Sequence, residues 1–572
     1  MAKFLVGLVA GLILALLIGV VVVFAALRLA ERPPEVADNS VLVLRLDGEL
    51  LEKAPMTIPL PFFEARRPLT VADVWDLVRK AEADARIRAV VVMPAGLAAG
   101  WGKLEELRAL LARLRKTGKP VVAFLREPST REYYVAAAAG RIYMPPEDLL
   151  DMKGLRAEVL FLRRTLDKLG VQVEIEHAGK YKDFGDRFTR TSMSPETREV
   201  LNSILDDLYR RLVAAVGEAR RKSPDAVRAL LDEGPFLARQ ALERGLVDGL
   251  LYEDQVFAEV ERLAGGKALR KLAARDYLRV PASSLRLSGP RIALVAAEGT
   301  IVSGRVPGFG DEDVIQSGPF SQLLRRVGED PNIRAVIVRI DSPGGSAFAS
   351  DEIWRQMNAL SKKKPLVISM SDTAASGGYY IAMTGDPIVA YPGTFTGSIG
   401  VIYGKVNLRG LYDKLGMNKE LLTRGRFADL DSDYTPLDAA ARRKLREGLE
   451  ATYRAFVERV AQARRRRFEE VEPLAQGRVW LGSQAKERGL VDELGGLDRA
   501  IELAKKKAGI RPEEPVSLVL YPPKRTLVER LLQPERETAF EARLKVLLRQ
   551  ARAAAWIEGG TLRLMPFAIE VR

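Results

Sequence analysis

The sequence has no cysteine and only one histidine, His177, in 572 residues. The first absence excludes thiol catalysis, thiolate metal sites and disulfides, and it leaves the compartment open. The second removes the usual general base from almost the whole chain. Zinc-ligand spacings, phosphate-binding glycine loops and RNA-binding motifs are missing as well, so no metal, organic cofactor or nucleic acid is expected. The net charge of +14 arises from 89 basic against 75 acidic side chains, mostly interleaved. The densest basic run, "ARRRRFEEVE" (463–472), carries its own acids and reads as a solvated helix face.

What is present is a packed globular composition, 47% hydrophobic and 29% charged. The length exceeds the roughly 250–300 residues at which one hydrophobic core stops growing, so at least two domains are expected. The first thirty residues differ from the rest. Phe4 to Leu27 are 24 consecutive residues without a charge, after Lys3 and before Arg28. A bilayer needs about 20 apolar residues, and a cleaved signal core has only about 7–15, so a retained transmembrane helix is expected. The flanking charges favour a cytoplasmic N-terminus with the large domain on the other side.

The chain also contains itself twice. "ARIRAVVVM" (85–93) returns as "PNIRAVIVR" (331–339), an offset of 246, which also aligns Tyr133 and Tyr134 with Tyr379 and Tyr380. "ERGLVDGL" (243–250) returns as "ERGLVDEL" (487–494). A tandem duplication divides the chain into an anchor and juxtamembrane segment (1–39), an N-terminal repeat (40–265), a join (266–290), a C-terminal repeat (291–510) and an uninterpreted extension (511–572). Within each repeat short β-branched runs alternate with helical patterns, the signature of βαβ units in an α/β fold with a parallel sheet.

Differences between the repeats locate the chemistry. "DTAASGGYYIA" (372–382) follows an apolar strand and presents Ser376 before two glycines, where the first repeat has Thr130 and "STRE". "DSPGGS" (341–346) faces "AGLAAG", and "TGSIGV" (396–401) faces "LDMKGL". The first repeat keeps something else: "GKYKDF" (179–184) aligns with "GRFADL", so Lys182 stands opposite Ala428. One repeat thus holds a nucleophile without a base, the other a base without a nucleophile.

These complementary losses predict that Lys182 activates Ser376 across the two repeats. A lysine is a base only when neutral, and its ordinary pKa is about 10.4, so the site must be desolvated, a semi-closed groove at the junction. A tetrahedral oxyanion needs fixed backbone donors: Gly377 is one candidate, with Gly344 or Gly345 as the second. A hydroxyl such as Ser398 in "TGSIGV" is a candidate to orient the lysine. His177, five residues from Lys182, remains the alternative base.

At these residues the chain resembles the signal peptide peptidase A family in its long, duplicated form. The likeness rests on "DSPGGS" (341–346), "AASGGYY" (374–380), "TGSIGV" (396–401) and "GKYKDFGDRFTRTSMSP" (179–195), and it runs from about residue 40 to 510. The resemblance implies two tandem ClpP/crotonase-like spiral domains, a Ser/Lys dyad, a membrane-anchored catalytic domain outside the cytoplasm, and a homotetramer. Ser376 matches the nucleophile, Lys182 the general base, Gly377 an oxyanion amide and Ser398 the hydroxyl that supports the lysine. Implied substrates are apolar peptides, the signal-peptide remnants left in the membrane. The chain departs from the pattern in the charged stretch "YKDFGDRF" (181–188). Two other classes compete: a crotonase-like acyl-CoA enzyme, which needs neither anchor nor Ser/Lys pair, and a non-catalytic membrane scaffold.

Overall fold

The computed structural model describes residues 34–53, 68–304, 314–523 and 561–565, together with Gly7 and Gly11 in helical conformation. The expected anchor over 4–27 otherwise lies outside the described residues. Among the described residues no helix is long and apolar enough to cross a membrane.

In the first repeat strand and helix alternate: β1 (Ser40–Glu49), α1 (Val71–Ala83), β2 (Ile87–Ala98), α2 (Trp101–Arg115), β3 (Val121–Phe124), α3 (Thr130–Ala136) and β4 (Arg141–Met144). They are followed by β5 (Gln172–Ala178), α4 (Pro195–Arg220), β6 (Gly249–Leu250) and β7 (Arg270–Ala273). All but β5 of these strands form one parallel sheet in the order β6-β4-β3-β2-β1-β7. Val90, Val91 and Val92 of β2 are all fully buried, which requires both faces of the sheet to be covered. The join is structured, since β7 lies within it and pairs with β1.

The second repeat follows the same plan: β8 (Arg291–Glu298), β9 (Thr300–Val302), β10 (Val314–Gln316), α5 (Ser317–Glu329), β11 (Ile333–Ser342), β12 (Gly344–Ser346), α6 (Ala347–Lys363), β13 (Leu366–Ala375), α7 (Gly377–Ile381), β14 (Phe395–Gly397), β15 (Val401–Asn407), α8 (Ala439–Arg464), β16 (Val479–Leu481) and α9 (Leu497–Ala508). From the extension come β17 (Ser517–Tyr521) and β18 (Thr561–Leu564). The central path of its main sheet is β16-β14-β13-β11-β8-β17.

The duplication is visible in the packing. α4 and α8 each have 26 residues. The Tyr133 hydroxyl donates to the Leu246 carbonyl at 2.7 Å and the Tyr379 hydroxyl to that of Leu490 at 2.8 Å. Arg220 pairs with Asp248 as Arg464 does with Asp492.

A third sheet, β10-β9-β12-β18-β15-β5, joins the repeats. Its last strand, β5, comes from the first repeat and pairs antiparallel with β15 over seven residues, Ala178 opposite Val401 through Gln172 opposite Asn407. This arm carries the loop that follows it, residues 179–182, onto the second repeat.

Candidate active site

Ser376 sits between the end of β13 and the start of α7, with φ 54° and ψ −113°. That region is unfavourable for any residue with a Cβ and costs on the order of 1–3 kcal/mol, so neighbouring contacts must hold it. The Ser376 amide donates to the Gly397 carbonyl at 2.8 Å, and its carbonyl accepts from the Tyr380 amide at 2.8 Å. The following glycines are needed for space. A Cβ on Gly378 would lie 2.6 Å from the Ser342 carbonyl oxygen.

Lys182 reaches this serine from the β5 arm. The Tyr181 amide donates to the Gln476 carbonyl at 2.7 Å and the Lys180 amide to the Gln476 side-chain oxygen at 3.0 Å, seating the loop on the second repeat. Gly477, with φ +77°, lets the backbones approach: a Cβ there would stand 2.6 Å from the Lys182 nitrogen. The lysine Nζ lies 2.8 Å from Ser376 Oγ, 2.9 Å from the Ser398 carbonyl oxygen and 2.9 Å from Ser398 Oγ. Lys182, Ser376 and Ser398 are all 0% exposed. Ser398 also has a positive φ, 52°, and its amide donates to the Arg478 carbonyl at 2.7 Å. Desolvation of this kind disfavours an ammonium relative to a neutral amine. His177 is placed elsewhere: its ring Nδ1 lies 3.1 Å from the Gly179 carbonyl oxygen.

The three candidate oxyanion glycines come together. A Cβ on Gly377 would fall 3.1 Å from Gly344 Cα, 3.2 Å from the Gly345 nitrogen and 2.6 Å from Ser350 Oγ. Gly344 and Gly345 have φ of 101° and 155°, values that L side chains rarely adopt. The Gly344 amide donates to Ser342 Oγ at 3.2 Å, within its own turn.

A cluster of buried and half-buried charges, not foreseen from the sequence, braces this site. The N-cap of helix α2 in the first repeat is Gly100, which has no side chain to cap it. The cap comes from the second repeat: the Asp372 carboxylate, four residues before Ser376, accepts from the amides of Gly100 and Lys103, each at 2.7 Å. Lys103 Nζ lies 2.7 Å from Asp341 and 3.8 Å from both Asp372 and Glu298. Asp341 immediately precedes the "SPGGS" turn, and its other oxygen accepts from the Thr373 amide at 3.0 Å. Beside this group, Arg339 bridges Glu52 at 3.2 Å and Glu106 at 2.8 Å.

Acids outnumber bases in the cluster, which sets its titration. Burial pushes the Asp372 carboxyl up to about 6 and that of Glu298 up to about 7. Burial acts against the Lys103 ammonium, but Asp341, Asp372, Glu52 and Glu298 together hold its pKa above the ordinary lysine value. Next to the base, burial raises Asp183 to about 6; Thr197 donates to its carboxylate, while its Oδ1 has no hydrogen-bond partner among the described residues. The signal for the cap was present in the duplication. At the 246 offset Gly100 stands opposite Ser346, which caps its own helix through the Ala349 amide, and Asp372 stands opposite Arg126.

The sequence pattern of peptidase family S49 matches residues 113–267 and again 358–511, once in each repeat. The chain is 34% identical over 490 residues to the chloroplastic serine protease SPPA of Arabidopsis thaliana, covering 85% of this chain and 71% of that protein. It is 31% identical over 511 residues to Protease 4 of Haemophilus influenzae, covering 85% and 82%. Among solved structures, a ClpP1 mutant from Listeria monocytogenes overlaps 36% of this chain and 94% of its own, at 14% identity and a TM-score of 0.24.

Proposed function

The chain belongs to peptidase family S49 and is a serine peptidase, and on that premise we propose that Ser376 is its nucleophile and Lys182 its general base. The observation that carries this reading is the 2.8 Å contact between Lys182 Nζ and Ser376 Oγ, made between two repeats and sealed from water. In acylation the neutral lysine takes the serine proton as Oγ attacks the substrate carbonyl carbon. The C–N bond then breaks, and the departing amine takes that proton from the lysine. Water enters, gives a proton to Lys182 and attacks the ester, and the serine leaves reprotonated. Developing negative charge on the carbonyl oxygen meets the Gly377 amide and a second donor from Gly344 or Gly345. The proximity of the Gly345 nitrogen to Gly377, and the engagement of the Gly344 amide with Ser342, favour Gly345. Ser398 offers Lys182 two oxygen acceptors and fixes its direction.

The proposal extends to substrate, place and assembly. Two tandem ClpP/crotonase-like spiral domains behind a transmembrane helix at 4–27 would hold the site at a membrane surface outside the cytoplasm, where apolar signal-peptide remnants lie. A homotetramer is supported by the arm. In the second repeat the counterpart of β5 is 418–424, wholly exposed, and residues 415–427 carry five exposed large apolar side chains, among them Leu422 at 95%. The counterpart of β15 is 155–161, outside any named strand, with Leu160 64% exposed. Each chain therefore uses one arm and its docking strand internally and offers the other arm to a second copy. Such head-to-tail contacts close into a ring when the rotation between copies closes.

A small fluorophosphonate followed by peptide mass analysis tests the central assignment. Modification is expected on Ser376 and lost in Ser376→Ala. Modification of a different serine, or of none, overturns it.

A further inference from the structure

Strand β18 is only four residues long, yet it occupies a particular place. It lies between β12 and β15, antiparallel to both: Leu564, Arg563 and Leu562 face Gly344, Gly345 and Ser346 on one side, and Leu562 and Thr561 face Ile402 and Tyr403 on the other. The Met565 amide then donates to the Pro343 carbonyl at 2.8 Å, and the Met565 side chain is buried. β12 is the strand whose glycines meet Gly377. β15 begins three residues after Ser398 and bears the arm that carries Lys182. Without β18, β12 and β15 would present two unpaired edges separated by one strand width, about 4.8 Å from each to its missing partner.

A slot of this shape binds any extended peptide through its backbone. It runs directly beside the candidate oxyanion donors, where the carbonyl of a bound peptide would have to lie. Its present occupant comes from the same chain, and with it in place Ser376 and Lys182 are 0% exposed. We propose that residues 561–565 are an internal competitor: they fill as a β-strand the slot that the substrate peptide takes, so a substrate must displace them before it reaches Ser376. This inference rests on the assignment of Ser376 as nucleophile. If the strand fills the slot nine-tenths of the time, the apparent affinity for substrate falls about tenfold, because only the open fraction binds.

Successive residues of a strand direct their amides to opposite neighbours, so Leu562→Pro with Arg563→Pro removes one donor toward each edge while leaving the chain at full length. The test compares this double variant with wild type using two serine reagents, a small fluorophosphonate and a tripeptidyl phosphonate. Expected is labelling by the peptidyl reagent at least about fivefold faster in the variant, a larger gain than the small reagent shows. A synthetic peptide of residues 559–567, "GGTLRLMPF", should slow the peptidyl reagent competitively in the variant. Equal or slower peptidyl labelling in the variant overturns the inference while leaving the nucleophile in place. Failure of the small reagent at Ser376 in both proteins overturns the assignment beneath it. Hydrogen exchange on wild type is an independent check that needs no substitution. Amides 561–564 should lose protection once the peptidyl reagent is attached to Ser376, and unchanged protection contradicts displacement.

Discussion

Gly477→Ala should uncouple the base from the nucleophile without touching either. The new methyl would lie 2.6 Å from the Lys182 nitrogen, 2.7 Å from its Cβ and 2.8 Å from its Cα, against the 3.4 Å at which ordinary contact begins. Relief requires a shift of about 0.8 Å, and the obstacle is backbone rather than a flexible side-chain end. Moved that far, Lys182 Nζ would stand about 3.6 Å from Ser376 Oγ instead of 2.8 Å, outside hydrogen-bond range. A misplacement near 1 Å costs about 100-fold in rate, and that is the expected loss in kcat. The positive φ of +77° adds backbone strain of about 1–2 kcal/mol, which lowers Tm by a few degrees. Gly118→Ala is the control, since Gly118 has φ +82° and, among the described residues, nothing within 4 Å of its Cβ position. The assay is turnover of a fluorogenic apolar peptide alongside thermal unfolding of both variants. A Gly477→Ala enzyme with kcat within threefold of wild type would show that Gly477 does not set the position of Lys182, as would an equal kcat loss in Gly118→Ala.

Three further outcomes follow from the same contacts. Lys103→Met leaves Asp341, Asp372 and Glu298 without their shared cation and should cost about 3–5 kcal/mol in denaturant unfolding, partly restored by adding Asp372→Asn; an unchanged midpoint contradicts the clamp. Glu298, raised to about 7, and Asp372, raised to about 6, hold their protons more tightly folded than unfolded. Their stabilisation is complete below about pH 4 and is lost as pH rises through 6 and 7, so Tm should fall from pH 5 to 8, with Glu298→Gln flattening the slope; an equally steep slope in that variant excludes Glu298 as its source. Replacing Leu421 and Leu422 with Glu should shift the protein to monomer in sedimentation velocity with its fold intact, and an unchanged assembly places the subunit contact elsewhere.

The duplication was legible because both repeats kept the same local code. Ile87 and Ile333 open equivalent parallel strands, and the tyrosine pairs anchor equivalent helices. The Ser376–Lys182 juxtaposition was legible for a different reason: each repeat kept one polar group that its counterpart had replaced. What stayed hidden was non-local. Nothing in "QVEIEHA" (172–178) says that it will pair with Val401–Asn407, more than two hundred residues away, because strand pairing depends on edges that only the fold creates. The cap that Asp372 gives to α2 was hidden in the same way, although the missing serine at Gly100 was a readable clue. The extension after residue 510 carried no motif, yet it supplies β17 to the edge of the second sheet and β18 to the joining sheet. Strands of four or five residues recognised through their backbone leave almost no pattern in side-chain chemistry.

In the proposed mechanism one repeat's lysine activates the other repeat's serine. The most direct measurement is peptide turnover from pH 6 to 10 by wild type, Ser376→Ala and Lys182→Met. Both variants are expected to be inactive, and wild-type kcat/KM is expected to rise with pH through an apparent pKa well below 10, as a desolvated lysine loses its proton. Near-normal turnover by Lys182→Met would contradict that mechanism, place the base elsewhere, and make His177 the next residue to replace.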